Sequence, residues 1–135
     1  MHEALTVEVT TRVFGLGNGR VSAPTLVMLE QRTLSVRQLI AEHVRAELAQ
    51  IERRRMSSLA LHYMLADDVR TQPGPVSMPE LPKADAEIKR AWQGLAERRY
   101  LLVVDGVAID DLDATLTLTE RSAVSFLRLL PLIGG

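Results

Sequence analysis

An α+β domain is predicted by three features of the sequence. Two β-rich runs flank a glycine-rich turn near the start, a helix is announced by its own capping residues, and short apolar runs broken by Asp-Gly return near the end. The element order that follows is strand, strand, helix, inserted segment, strand, strand, strand. Such an order places a mixed sheet against one main helix.

Residues 6–14, TVEVTTRVF, are dense in β-branched side chains and predict the first strand. Residues 15–19, GLGNG, predict the turn of a hairpin, and residues 21–29, VSAPTLVML, its second strand. Pro24 has no amide hydrogen, which assigns it to an edge or a bulge. The glycines do not form a phosphate cradle, because a phosphate-binding loop opens a helix and here a strand follows.

Leu34-Ser35-Val36-Arg37-Gln38-Leu39 predicts a helix start. The Ser35 side chain caps the amide of Gln38, the Gln38 side chain reaches back, and Leu34 staples to Leu39. Val36, Leu39, Ile40, Val44, Leu48 and Ile51 then recur at helical spacing and predict a stripe against the sheet, with His43 close to it as a packed or rim residue. Arg53-Arg54-Arg55 reads as a solvated helix end, where positive charge suits the macrodipole. Residues 59–65 either continue this helix or form a short one of their own.

Residues 71–82 carry four prolines and predict a loop. Asp85 is expected to cap a further helix running to about Arg98, with Ile88, Trp92 and Leu95 on its apolar side. Residues 55–98 thus form a helical, Pro-rich insertion between the main helix and the third strand, within a single domain of residues 1–135. Residues 100–104, 107–109 and 123–130 predict the last three strands, the first two joined at Asp105-Gly106. Leu39, Ile40, Val44, Val103, Ile109 and Phe126 are the expected core. Asp105, Asp110, Asp111 and Asp113 are carboxylates of the type that hold Ca²⁺ or Mg²⁺, but their spacing is not that of an EF-hand and suits turns.

Composition excludes several functions. With 16 Lys plus Arg against 17 Asp plus Glu, there is no cationic surplus for a phosphate backbone, so nucleic acid is not expected as a main partner. There is no cysteine, hence no disulfide, thiolate nucleophile or thiolate metal site. His2, His43 and His62 are too far apart for a short-spaced zinc motif, and no metal or bound cofactor is expected. No apolar run approaches the about 20 residues that span a bilayer, and residues 1–15 lack a signal-peptide core. A cytoplasmic protein without membrane contact is expected.

The hairpin, the capped helix at Thr33-Leu34-Ser35-Val36, the block from Leu102-Val103-Val104-Asp105-Gly106 to Thr115-Leu116, and the ending Gly134-Gly135 together resemble the ubiquitin-like β-grasp family. The resemblance covers residues 6–54 and 99–135. It implies a mixed β-grasp sheet on one helix, and a protein that is not itself an enzyme. The Gly135 carboxylate would be adenylated with ATP by an E1-like enzyme, with an E2-like enzyme, an isopeptidase and a conjugation target as further partners. Gly134 lacks a Cβ and would let the end enter a narrow activating site, while Leu130, Pro131, Leu132 and Ile133 would form the tail that such an enzyme grips.

Ubiquitin's tail resembles LRLRGG, whereas Pro131 and Ile133 stand here where its arginines would be. The ending is similar to that of sulfur carriers of the molybdopterin and thiamine type, in which the carboxylate becomes a thiocarboxylate. A modifier, a sulfur carrier and a non-conjugating assembly module, the last able to form homo-oligomers through the insertion, are therefore the readings open at this level. Only Lys83 and Lys89 offer side-chain amines for self-conjugation, against fourteen arginines.

Overall fold

The computed structural model describes residues 4–14, 20–21, 24–69 and 83–129, with side chains for all of these except 13–14, 20–21, 55–69 and 129. The elements are β1 (Leu5–Phe14), β2 (Arg20–Val21), β3 (Thr25–Leu29), β4 (Thr33–Ser35), α1 (Val36–Val69), α2 (Ala84–Ala96), β5 (Tyr100–Val104), β6 (Val107–Ile109), β7 (Thr115–Thr117) and β8 (Val124–Leu129). They form an α+β structure in which a mixed sheet of order β2-β1-β8-β5-β6 packs against two helices. The order is compatible with a β-grasp arrangement.

The pair β1–β8 is parallel and every other pair in this sheet is antiparallel. Val9 pairs with both Thr25 and Val124, and Arg12 with both Val21 and Leu127. β2 and β3 therefore lie on the same side of β1, opposite β8, as two parts of one interrupted edge. From Val9 to Arg12 the first strand advances three residues while its partner advances four, from Val21 to Thr25. The exposed Pro24 directly precedes β3, which pairs with β1 on the side away from β8.

Leu5, Val7 and Val9 alternate with the exposed Thr6 and Glu8, and Val27 and Leu29 continue the buried face on β3. Opposite them, α1 contributes Val36, Leu39 and Ile40, each at most 1% exposed. The helix start is built as the sequence dictates. Gln38 N donates to Ser35 Oγ at 3.2 Å, and Ser35 N donates to Gln38 Oε1 at 2.9 Å. Leu34 and Leu39 are buried in the same core. The two amides before Gln38 are satisfied from elsewhere, Val36 N by Ala114 O and Arg37 N by Leu112 O.

These bonds belong to a feature the sequence pattern does not reveal, a two-stranded sheet of β4 and β7 pairing Leu34 with Leu116. Three-residue strands are too short for alternation to register, although Leu34, Leu116 and Leu118 are all buried.

Four expectations change. The arginines at 53–55 do not end a helix: α1 continues to Val69, since arginine is a good helix former and no Gly or Pro intervenes. The apolar stripe stays buried only to its middle, for Val44 and Leu48 are half-buried and Ile51 is 43% exposed. Asp85 lies in the first turn of α2 beside the cap position, which Lys83 occupies without a side-chain cap bond. Val103 is half-buried and outside the core, because Leu102 and Val104 take the inward face of β5 and the pleat turns Val103 to the other side. Of the other expected core residues, Leu39, Ile40 and Phe126 are buried together, with Val44 and Ile109 packed against them.

α2 turns Ile88 and Leu95 inward, at 3% and 1% exposure, and packs on both α1 and β5. The half-buried Trp92 donates its indole N–H to Arg37 O at 3.0 Å, under the Arg37 guanidinium 5.4 Å from its ring centre. The helix ends in a Schellman turn: Arg99 N donates to Gly94 O, Arg98 N donates to Leu95 O, and Arg98 takes a left-handed φ of 59°. Asp105 and Gly106, with φ of 50° and 82°, make the tight β5–β6 turn predicted for them. Among the described residues no helix is long and apolar enough to cross a membrane.

Candidate functional site

β8 leaves the sheet between β1 and β5. Its Arg128 stands opposite Val13 on one side and Tyr100 on the other, and Leu129 opposite Phe14. The expected reacting residues, Gly134 and Gly135, and the tail residues Leu130, Pro131, Leu132 and Ile133 lie outside the described residues. The described residues end at Leu129, the last residue of β8.

At this end of the sheet a groove of about 550 Å³ opens between α1 and α2. Ile40, Val44 and Leu48 of α1, Ala91 of α2, and Phe126 of β8 give it an apolar lining, with Ile51 also on its wall. Around them stand Glu47, Glu87, Arg90, Arg99 and Arg128. The volume lies within the range of ligand clefts, about 300 to 1,000 Å³.

Tyr100 and His43 fix the groove's shape. The Tyr100 hydroxyl donates to Ala91 O, and its ring meets Phe126 edge-on at 5.5 Å. Burial pushes the phenol up to about 12, so it stays neutral at physiological pH. Gly94 makes room for the ring on the α2 side. His43 is 7% exposed and lies against Phe126 at 4.7 Å. Its Nε2 is 3.1 Å from Glu47 Oε1 but outside the alignment of a hydrogen bond, so this buried nitrogen has no bonded partner.

The charges are unevenly engaged. Arg90 pairs with Glu87 at 3.5 Å and Arg99 with Glu97 at 2.7 Å, whereas the exposed Arg128 has no ion pair among the described residues. Chemically, the groove combines an apolar floor with a rim of three arginines and two glutamates near the end of β8. It suits an apolar chain segment carrying an anionic end.

The other sequence candidates lie elsewhere. Lys83 precedes α2 and Lys89 lies on it; both are exposed and neither lines the groove. The four aspartates are divided among separate partners. Asp105 Oδ1 accepts from Ala123 N, Asp111 Oδ1 accepts from Asp113 N, Asp113 pairs with Arg37, and Asp110 pairs with Arg98. Among the described residues no group of three or more His, Asp or Glu side chains is placed to hold a metal ion.

The sequence placed His43 as a packed or rim residue beside the α1 stripe but did not connect it with Tyr100, Arg99 or Arg128. The His43–Glu47 spacing of four was legible as a helical neighbour pair. The arginines join it only through the return of β8. No protein-family model, curated protein or solved structure matches the chain.

Proposed function

We propose that the chain is a ubiquitin-like β-grasp modifier whose Gly135 is adenylated by an E1-like enzyme and then conjugated to a target. The observation that carries this reading is the parallel pairing of β1 with β8, which sends the last strand through the middle of the sheet and out towards Leu-Pro-Leu-Ile-Gly-Gly. The sheet order, with α1 crossing between the first hairpin and β5, supports the same reading. A Gly135 carboxylate oxygen would attack the α-phosphorus of ATP and release pyrophosphate. A target amine would then displace AMP from the acyl carbon and lose a proton.

The experiment is expression of an N-terminally tagged chain in its native host, followed by mass spectrometry of the purified tagged species. The expected result is a set of heavier species joined through Gly135 to a lysine or another nucleophile, and absent when Gly135 is deleted. Identical species from both chains overturn the proposal.

Pro131 and Ile133, in place of arginines, favour a second reading, the sulfur carrier. In that case the unconjugated chain gains the mass difference between sulfur and oxygen at Gly135. A chain with neither modification favours the non-conjugating assembly module.

A further inference from the structure

We infer that the free edge of β3 is a self-association surface, on which a second copy of the chain adds its own β3 in antiparallel register about Val27. The inference is independent of the chemistry assigned to Gly135.

The main sheet has two edges, and they are built differently. At one stands β6, three residues long, with the exposed Asp105, Asp110 and Asp111 beside its ends. Short length and charge are the devices that keep natural edge strands from pairing. At the other stands β3, which pairs with β1 alone among the described residues. Its five residues, Thr-Leu-Val-Met-Leu, include no charge, proline or glycine. Alternate amides and carbonyls of such a strand point away from the sheet and accept a further strand.

The side chains identify the occupant. Thr25, Val27 and Leu29 face the core and are buried, whereas Leu26 and Met28 face outward at 57% and 77% exposure. These are two of the four large hydrophobic side chains exposed among the described residues. They flank Val27 symmetrically. A two-fold axis at Val27 therefore sets Leu26 opposite Met28 of the second copy and Met28 opposite its Leu26, with Thr25 opposite Leu29 on the other face. Apolar meets apolar at both outward positions, so the strand is complementary to itself.

Neighbouring registers lose this match. Centred on Leu26, the ladder sets Pro24, which has no amide hydrogen, opposite Met28. Centred on Met28, it sets the exposed Glu30 opposite Leu26. About Val27, Glu30 falls outside the ladder opposite Pro24, and no two carboxylates meet along it. β8 pairs with β1 on the side away from β3, so the last strand takes no part in the new ladder. A five-residue edge is small beside the about 800 Å² per partner of a stable interface, which makes the association weak and dependent on concentration.

The test uses the full chain. Sedimentation between about 10 μM and 1 mM is expected to show the mass rising towards that of two chains. Met28→Lys, which places a charge on the edge at an exposed position, is expected to hold it at the mass of one. Cross-linking reads the register. The chain has no cysteine, so Leu26→Cys and Met28→Cys each introduce a single thiol. Mixed and oxidised, the two variants should form a disulfide-linked dimer, because opposed residues of an antiparallel pair lie about 4.5 to 5.5 Å apart at Cα. Either variant alone should link little, since its thiols then sit on a diagonal of about 7 to 8 Å. A single-chain mass at every concentration overturns the proposal. So does a dimer that persists in Met28→Lys, which assigns association to another surface, or cross-linking as efficient in either variant alone as in the mixture.

Discussion

Gly94 lies directly beneath the ring of Tyr100: a Cβ built on Gly94 would stand 2.9 Å from Tyr100 Cε1. The ring has little freedom to yield, since its hydroxyl is bonded to Ala91 O and it meets Phe126 edge-on. Gly94→Ala is therefore expected to destabilise the fold despite alanine's better helix propensity. Overpacking costs about 1 to 3 kcal/mol and propensity returns at most about 1 kcal/mol. Denaturant unfolding measures the balance, and a Gly94→Ala variant more stable than the parent would refute the close approach.

Alkaline pH probes the same ring. The phenol of Tyr100 is pushed up to about 12 in the folded state, against about 10 in an unfolded chain. The raised value means that the contribution of the neutral phenol is fully present below about pH 10 and is lost as pH rises towards about 12. Stability should fall across that window, and the Tyr100→Phe variant should lose this part of the fall. Urea midpoints at a series of pH values test it. Absorbance of the tyrosinate, compared between the two proteins, locates the titration.

Arg98 stands in the left-handed region at φ 59°, where a Cβ crowds the backbone. Its ion pair with Asp110 is long, at 3.6 Å, and exposed on both sides. Arg98→Gly should accordingly stabilise the protein by about 1 kcal/mol, because a surface pair contributes little and glycine carries no Cβ penalty. Thermal unfolding reads the sign directly.

Trp92 is the sole tryptophan and joins α2 to the first turn of α1 through its bond to Arg37 O. Trp92→Phe removes that donor and leaves a part-buried carbonyl without it, a loss of about 1 to 2 kcal/mol. In the parent chain, its fluorescence should change in the same transition that circular dichroism reports. Separate transitions would mean that α2 comes away from α1 before the sheet unfolds.

Much of the framework was legible because it rests on local chemistry. Ser35 and Gln38 are three residues apart and satisfy each other, so their pattern needs no tertiary knowledge. Asp105-Gly106 encodes its own turn in the same way. Pro24 was placed at an edge or a bulge, and it directly precedes β3 beside β1. Val103 was misplaced because a run of Tyr-Leu-Leu-Val-Val is apolar on both faces, and alternation carries no sign without a polar residue to set it.

The groove was not legible for a different reason. His43, Tyr100 and Phe126 are far apart in the chain and meet only through sheet pairing. The β4–β7 pair likewise owes its stability to Leu34 and Leu116 meeting across the molecule, which three-residue runs do not advertise.

The parallel pairing of β1 and β8 bears on how the molecule would respond to mechanical load. Six consecutive pairs, Val9 with Val124 through Phe14 with Leu129, join the two strands. The start of β1 and the end of β8 lie at opposite ends of this ladder. Tension between residue 4 and residue 129 would pull the strands past one another lengthwise, so the rungs share the force instead of opening in sequence. A chain held at residue 4 and pulled at residue 129 would therefore load all six β1–β8 pairs together.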